Sequence, residues 1–190
     1  MQPICVPSPA RIITEGIQLM SIADDTVHYL RANGLVLTTA ESCTAGKIVT
    51  LLSEVEGSGE FIECGYVVYS PQAKQRLLHV KPQTIETFNL TSVEVAREMA
   101  MGALRDSTAN VAVATTGILG PDDVDGIPAG TICFAWAYQI ADECHVFSHQ
   151  HRFCGGRCEV QKYATEYALQ YLTRFHQRVL QGENGEPDER

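Results

Sequence analysis

Apolar positions along the chain alternate between helical and strand spacing. From Ile12 to Ala32 they recur at helical intervals, at Ile13, Ile17, Met20, Val27 and Leu30, and Asn33-Gly34 supplies a stop. Leu35 to Thr39 reads as a strand that runs into the small residues Ala40-Glu41-Ser42-Cys43-Thr44-Ala45-Gly46. Lys47 to about Glu54 is an amphipathic helix, and Glu56-Gly57-Ser58-Gly59 is a loop. Phe61 to Ser70 holds a second strand, and Pro71 opens a short helix over Gln72 to His79. Val80 to Asn89 reads as a connector. Thr91 and Glu94 form a capping-box pattern that opens a helix reaching about Ser107. Val111 to Gly117 is a strand, and Ile118 to Pro128 is a loop. Gly130 to Tyr138 and Glu143 to Phe153 pair as an antiparallel hairpin. Gly155-Gly156-Arg157 begins a last helix carrying Val160, Tyr163, Ala164, Tyr167, Leu169 and Leu172.

This order predicts an α/β fold, a three-layer α/β/α sandwich on a mixed sheet. Residues 1–10, with three prolines, read as an irregular arm, 11–181 as a single domain, and 182–190 as a disordered acidic tail. A length of 190 residues suits one domain with a sizeable core.

Bulk chemistry narrows the function. Apolar content of 45% and charged content of 19% are those of a soluble globular protein. The net charge of −9, without a basic run, argues against general nucleic-acid binding and leaves room for one local phosphate pocket. No apolar run has membrane-spanning length, and Met1 to Arg11 has no signal-peptide pattern. Seven cysteines at irregular spacing read as free thiols in a reducing cytoplasm.

Ligands of open α/β sheets gather at the carboxyl ends of strands. Three such ends here are small and polar: Thr39 to Thr44, Tyr69-Ser70, and Thr116-Gly117. The turn at Ser42-Cys43-Thr44 precedes a helix, where free N–H groups can hold an anion or an oxyanion. The alternative is that Ser42 or Thr44 is only an N-cap. Ser42, Tyr69 and Lys74 form the most economical catalytic set. A serine needs a base, no histidine adjoins these strand ends, and a desolvated lysine can serve. Tyr69 would relay the proton or orient either group. The bland alternative is a packed Tyr69 and a solvated Lys74.

Gly117 and Gly120 would let a ligand approach the backbone unless they belong to an ordinary loop, and Arg157 would bind a phosphate unless it is simply a surface arginine. Cys43 is a rival nucleophile or a small buried side chain. His145, His149, His151, Cys154 and Cys158 lack a diagnostic metal spacing, so neither a metal nor another cofactor is expected.

Together these residues resemble the CinA C-terminal domain family, the nicotinamide-nucleotide amidases. The segments that carry the likeness are Ala40 to Gly46, Gly57-Ser58, Gly65 to Ser70, Ala73-Lys74, Val93 to Ala96, Thr116-Gly117-Ile118 with Gly120-Pro121, Gly130-Thr131, and Gly156-Arg157. They span roughly residues 14 to 175, and the chain resembles the family's stand-alone form. The resemblance implies a cytoplasmic, metal-free serine amidohydrolase that assembles as a homo-oligomer, a dimer or larger. Its partner would be a small-molecule nucleotide. It would hydrolyse the carboxamide of nicotinamide mononucleotide to nicotinate mononucleotide and ammonia. Carried over, Ser42, Tyr69 and Lys74 are catalytic, and Thr44, Gly46, Ser58, Thr116, Gly117, Gly120 and Arg157 shape the substrate pocket.

The chain departs from the family pattern in four places. Ala45 replaces a glycine, Gly59 replaces a serine, Pro71 replaces an asparagine, and the 122–127 loop is more acidic. Two readings therefore stand: an amidase, or a diverged nucleotide-binding or regulatory paralogue without catalysis. Motif position alone also leaves the nucleophile open between Ser42 and Ser58.

Overall fold

The computed structural model describes residues 21–183 and 185. The expected arm at 1–10, the first part of the opening helix and the end of the tail lie outside the described residues. The first helix described, α1 (Ile22–Asn33), starts at Ser21. The Ser21 hydroxyl accepts the Asp24 N–H, and the Asp24 carboxylate accepts the Ser21 N–H, both at 3.1 Å. The helix ends at Gly34, whose φ of 62° is left-handed.

Strand β1 (Leu37–Glu41) starts two residues later than the apolar run suggested. The N–H groups of Gly34 and Leu35 return to α1 carbonyls, those of Arg31 and Leu30, so these residues close the helix instead of opening the strand. At its far end β1 includes Ala40 and Glu41, which the sequence placed in the turn.

The remaining strands are β2 (Ile62–Val67), β3 (Val111–Gly117), β4 (Thr131–Ile140) and β5 (Glu143–Arg152). They form one sheet in the order β2-β1-β3-β4-β5. β1 is parallel to β2 and β3, whereas β3–β4 and β4–β5 are antiparallel, as the hairpin reading expected. The carboxyl ends of β1, β2 and β3 therefore lie at one end of the sheet.

The other helices are α2 (Lys47–Ser53), α3 (Pro71–Leu78), α4 (Pro82–Phe88), α5 (Val93–Arg105) and α6 (Arg157–Leu180). The sequence reading missed α4, taking 80–89 as a connector. None of its residues is fully buried, and Ile85 packs only in part against the core, so its apolar stripe is weak. Glu98 of α5 holds its start by accepting the Lys81 N–H and the Thr84 hydroxyl, at 2.7 and 2.8 Å. The cap of α5 is Ser92, not Thr91, with the Val95 N–H on its hydroxyl.

Residue size alternates along the central strands and sets the two cores. Leu37, Val111, Val113, Phe134 and Trp136 face α1, α2 and α6, where they meet Val27, Leu30, Ile48, Leu52 and Leu169. The opposite face is paved by Ala40, Ala112, Ala114, Ala135 and Ala137, against Leu78, Val95 and Met99 of α3 and α5. Small side chains let helices approach closely. The tightest point is Gly102 of α5, where a Cβ would lie 2.1 Å from the Leu78 carbonyl oxygen.

Cys43, Cys64, Cys144 and Cys158 are free thiols. Cys154 is disulfide-bonded, which corrects the expectation of free thiols throughout; its spacing in the sequence carries no sign of this. Beyond α6, Gly182 still donates to the Val179 carbonyl and Glu183 still pairs with Arg178, so the acidic tail begins as a continuation of the helix end. Among the described residues no helix is long and apolar enough to cross a membrane.

Gly102→Ala should destabilise the fold by about 2 kcal/mol, because backbone and not a flexible side chain blocks the added methyl. Urea unfolding measures this, and an unchanged midpoint would contradict the close α3–α5 approach.

Candidate active site

Three parallel strands deliver their ends to one place, and a buried carboxylate organises it. Glu41 is the last residue of β1 and is fully buried. Helix α2 starts at Gly46, which has no side chain to cap it. Glu41 fills that role. Its Oε2 accepts the N–H groups of Gly46 and Ile48 at 2.9 and 3.2 Å. Its Oε1 accepts the Val49 N–H and the Thr39 hydroxyl at 3.3 and 3.2 Å. A carboxylate at a helix N-terminus also meets the positive end of the dipole. The N-cap alternative for Ser42 and Thr44 thus fails, and their positions are free for other chemistry.

Ser42 follows directly, with its N–H donated to the Thr115 carbonyl of β3 at 2.9 Å. Side chains alternate along a strand, so Glu41 faces α2 and Ser42 faces α3. There it meets Lys74, which is 1% exposed. Lys74 Nζ lies 2.9 Å from Ser42 Oγ, 2.7 Å from the Val68 carbonyl oxygen and 3.4 Å from that of Tyr69. The reach has a local cause: Ser70 caps α3 through the Ala73 N–H, Pro71 fixes its first turn, and Lys74 is one turn in. Burial lowers the amine's pKa from the usual 10.5 to about 8. The bland alternative of a solvated Lys74 does not hold.

The partners of the amine fit its neutral form. A neutral amine has two hydrogens and one lone pair. Two carbonyls can take the hydrogens, which leaves the lone pair facing the Ser42 hydroxyl. That is the arrangement a general base needs toward a nucleophile.

The Tyr69 side chain lies elsewhere. It is 57% exposed, and its hydroxyl is 3.4 Å from the Arg157 guanidinium. Only the Tyr69 main chain approaches Lys74, so a proton relay through the phenol has no hydrogen bond behind it among the described residues. Arg157, in the first turn of α6, also donates to the Gly120 carbonyl at 3.2 Å. A cleft of about 580 Å³ adjoins it, lined in part by Gly120, Pro121, Arg152, Phe153 and Gly156. At the start of α6 the Gly156 N–H donates to the Glu159 carboxylate at 2.8 Å. The guanidinium groups of Arg152 and Arg157 bring positive charge to this cleft.

The other expected pocket residues divide. Thr44 is fully buried and its hydroxyl pairs with that of Thr115 at 2.7 Å, so only its main chain remains for a ligand. Gly46 has a left-handed φ of 87° and serves Glu41. The Thr116 hydroxyl donates to the Leu90 carbonyl at 2.8 Å. Gly117 is dictated by packing, since a Cβ there would lie 2.5 Å from the Thr131 carbonyl oxygen.

Ser58 is not brought to this end. It precedes β2, whose first residue pairs with Leu37 at the start of β1, while Ser42 follows the end of β1. Among the described residues, Ser42 is the serine whose hydroxyl meets the Lys74 amine.

Cys43 is buried, and burial pushes its thiol up to about 12, which argues against the thiolate needed of a nucleophile. His149 and His151 lie in an aromatic column on the α6 side of β5. His151 stacks on Tyr167, and His149 Nδ1 hydrogen-bonds the Tyr167 hydroxyl. Among the described residues no three His, Cys, Asp or Glu side chains converge as metal ligands.

The sequence reading gave no role to Glu41 or to Gln161. Gln161 Nε2 of α6 donates to the Cys43 and Thr44 carbonyls at 2.9 and 3.2 Å. The bare glycine at the start of α2 was a signal for the first. Spacing one helical turn from Arg157 was a signal for the second.

The CinA C-terminal domain model matches residues 19–176. Nicotinamide-nucleotide amidohydrolase PncC of Escherichia coli (strain K12) is 36% identical over 156 residues, covering 82% of this chain and 93% of that protein. A CinA-like protein of Chlorobium limicola is 38% identical over 160 residues, which are 83% of this chain but 37% of that longer protein. Among solved structures, a competence/damage inducible protein from Agrobacterium tumefaciens superposes with a TM-score of 0.77 at 35% identity, covering 82% of this chain and 93% of that one.

The buried amine has a consequence for stability. The folded protein releases the Lys74 proton near pH 8 and the unfolded chain near 10.5. Between those values the unfolded state binds more protons, so wild-type stability rises with pH there. Below pH 8 the charged amine costs stability. Lys74→Met removes that cost and leaves the Val68 carbonyl unpaired. A net gain of about 1–2 kcal/mol at pH 6.5, shrinking toward pH 10, is expected in urea unfolding. A clear loss of stability at pH 6.5 would contradict it.

Proposed function

The chain belongs to the CinA C-terminal domain family, and we propose that it hydrolyses the carboxamide of nicotinamide mononucleotide to nicotinate mononucleotide and ammonia. The observation that carries this reading is the 2.9 Å contact between Ser42 Oγ and a buried Lys74 amine. In the first step Ser42 Oγ attacks the carboxamide carbon and its proton passes to Lys74. Main-chain N–H groups in the turn after Ser42 receive the oxyanion. The tetrahedral intermediate then collapses, the C–N bond breaks, and the Lys74 ammonium returns its proton to the departing ammonia. Water attacks the acyl-serine with Lys74 again as base, which frees the acid and restores Ser42.

Arg157 and Arg152 on the adjoining cleft are suited to the nucleotide phosphate, since guanidinium groups pair with phosphate oxygens. Tyr69, exposed and reaching Arg157, sits where its ring could cover the pyridine or ribose.

The departures from the family pattern spare this machinery. Gly59 stands where an added Cβ meets nothing within 4 Å, and it is next to Ser58, away from Ser42. Pro71 suits the first turn of α3 and keeps the Ser70 cap. Ala45 adopts the left-handed φ of 56° that a glycine would adopt freely, at a cost of about 1 kcal/mol. In the acidic loop Asp123 is occupied within the loop, accepting the Ala129 N–H at 2.7 Å. These facts favour the amidase over a binding paralogue without catalysis.

Purified protein should release ammonia from nicotinamide mononucleotide over many turnovers. Ser42→Ala should lower kcat by about 10³-fold or more with the fold intact. With an amine pKa of about 8, roughly a tenth of Lys74 is neutral at pH 7. Activity should therefore rise through pH 7 and level off above about 8. Binding of the nucleotide without ammonia release, seen as a raised melting temperature alone, would overturn the reading in favour of the non-catalytic paralogue.

A further inference from the structure

We infer that Gln161 is the positioning residue of the oxyanion site, and that the site's donors are the N–H groups of Thr44 and Ala45. The inference rests on Ser42 acting as the nucleophile. Gln161 Nε2 carries two hydrogens, and two carbonyl oxygens face it, those of Cys43 at 2.9 Å and Thr44 at 3.2 Å. Carbonyls only accept, so the amide nitrogen and not the amide oxygen must face them.

Each of these carbonyls shares a peptide plane with the next residue's N–H. In a trans peptide the N–H points opposite to the C=O. Holding the Cys43 carbonyl toward α6 therefore turns the Thr44 N–H away from α6. Holding the Thr44 carbonyl does the same for the Ala45 N–H. Helix α6 covers the sheet face that bears Leu37 and Val113, whereas Ser42 meets Lys74 of α3 on the other side. The two N–H groups are thus aimed toward the side where Ser42 attacks.

Neither N–H has a hydrogen-bond partner among the described residues. The Ser42 N–H, by contrast, is already donated to Thr115 and is not available. Two further contacts stiffen the same peptides. The Thr44 carbonyl also accepts the Lys47 N–H at 3.1 Å, and the Thr44 hydroxyl is tied to Thr115. The left-handed backbone at Ala45 belongs to this geometry, because it turns the chain sharply between the donors and α2. Gln161 lies four residues after Arg157 on α6, so one rigid helix fixes both the cation of the adjoining cleft and the polarity of the turn.

An oxyanion donor acts more strongly on the transition state than on bound substrate. Gln161→Leu, which keeps the bulk and removes both donors, should lower kcat by about 10²-fold and leave KM within about twofold. Gln161→Glu, which sets carboxylate oxygens against two carbonyls, should lose at least as much. A merely structural role would instead lower the melting temperature and shift kcat and KM together, and that pattern overturns the inference.

A second arm does not depend on the substrate's identity. An alkyl fluorophosphonate places its phosphoryl oxygen where the oxyanion forms. It should label Ser42 in wild-type protein, fail on Ser42→Ala, and react about 10²-fold more slowly with Gln161→Leu. Equal labelling rates in wild type and Gln161→Leu, or no labelling of wild-type Ser42, would overturn the inference. Slowed labelling in a protein that releases no ammonia from nicotinamide mononucleotide would uphold it while removing the proposed substrate.

Discussion

The Lys74 amine is held out of water against one hydroxyl and two carbonyls, and the elements around it are those that keep it there. A lysine in this position loses hydration, so its charged form is disfavoured and its basicity falls toward neutral pH. Maintaining it requires a second strand end close to the first, a short helix entered through a fixed cap, and a floor of small side chains. The parallel β1–β2 pair, the Ser70-Pro71 entry to α3 and the alanine-paved face of the sheet meet those requirements.

The turn bearing Ser42 is fixed from three directions. Glu41 holds it to the start of α2, Thr115 holds it to β3, and Gln161 holds it to α6. None of these contacts uses the Ser42 side chain, which leaves that hydroxyl to Lys74. The separation follows from strand alternation: Glu41 and Ser42 are adjacent in sequence and face opposite layers. The acidic bulk of the chain coexists with a local basic cleft that Arg152 and Arg157 line.

Much of this was legible in the sequence. The order of elements, the sheet's polar strand ends and the Ser42–Lys74 pair all follow from hydrophobic period, turn residues and family motif. What was not legible has particular causes. Helix α4 has no fully buried residue and packs Ile85 only in part against the core, so its apolar period is weak. The shift of β1 reflects closure of α1, which draws Leu35 into the helix end. Ser58 shares a motif with the family yet lies at the opposite end of the sheet, which only the parallel pairing of β1 and β2 reveals. The exposed Tyr69 phenol was read as a relay because its position along the chain is close to Lys74. Its direction depends on the twist of the segment between β2 and α3, which no spacing rule specifies. Gln161 is distant in sequence from Ser42, and its spacing of one helical turn from Arg157 marks a shared helix face without pointing to the turn it holds.

The most direct test of the account is the titration of the Lys74 amine itself. Protein carrying ¹⁵N-lysine, assigned by comparison with Lys74→Met, would be followed by NMR from pH 6 to 11. The account requires the Lys74 Nζ resonance to titrate near pH 8 in the folded protein. A midpoint near 10.5, the ordinary value, would mean that the amine remains an ammonium at working pH and cannot be the base that activates Ser42.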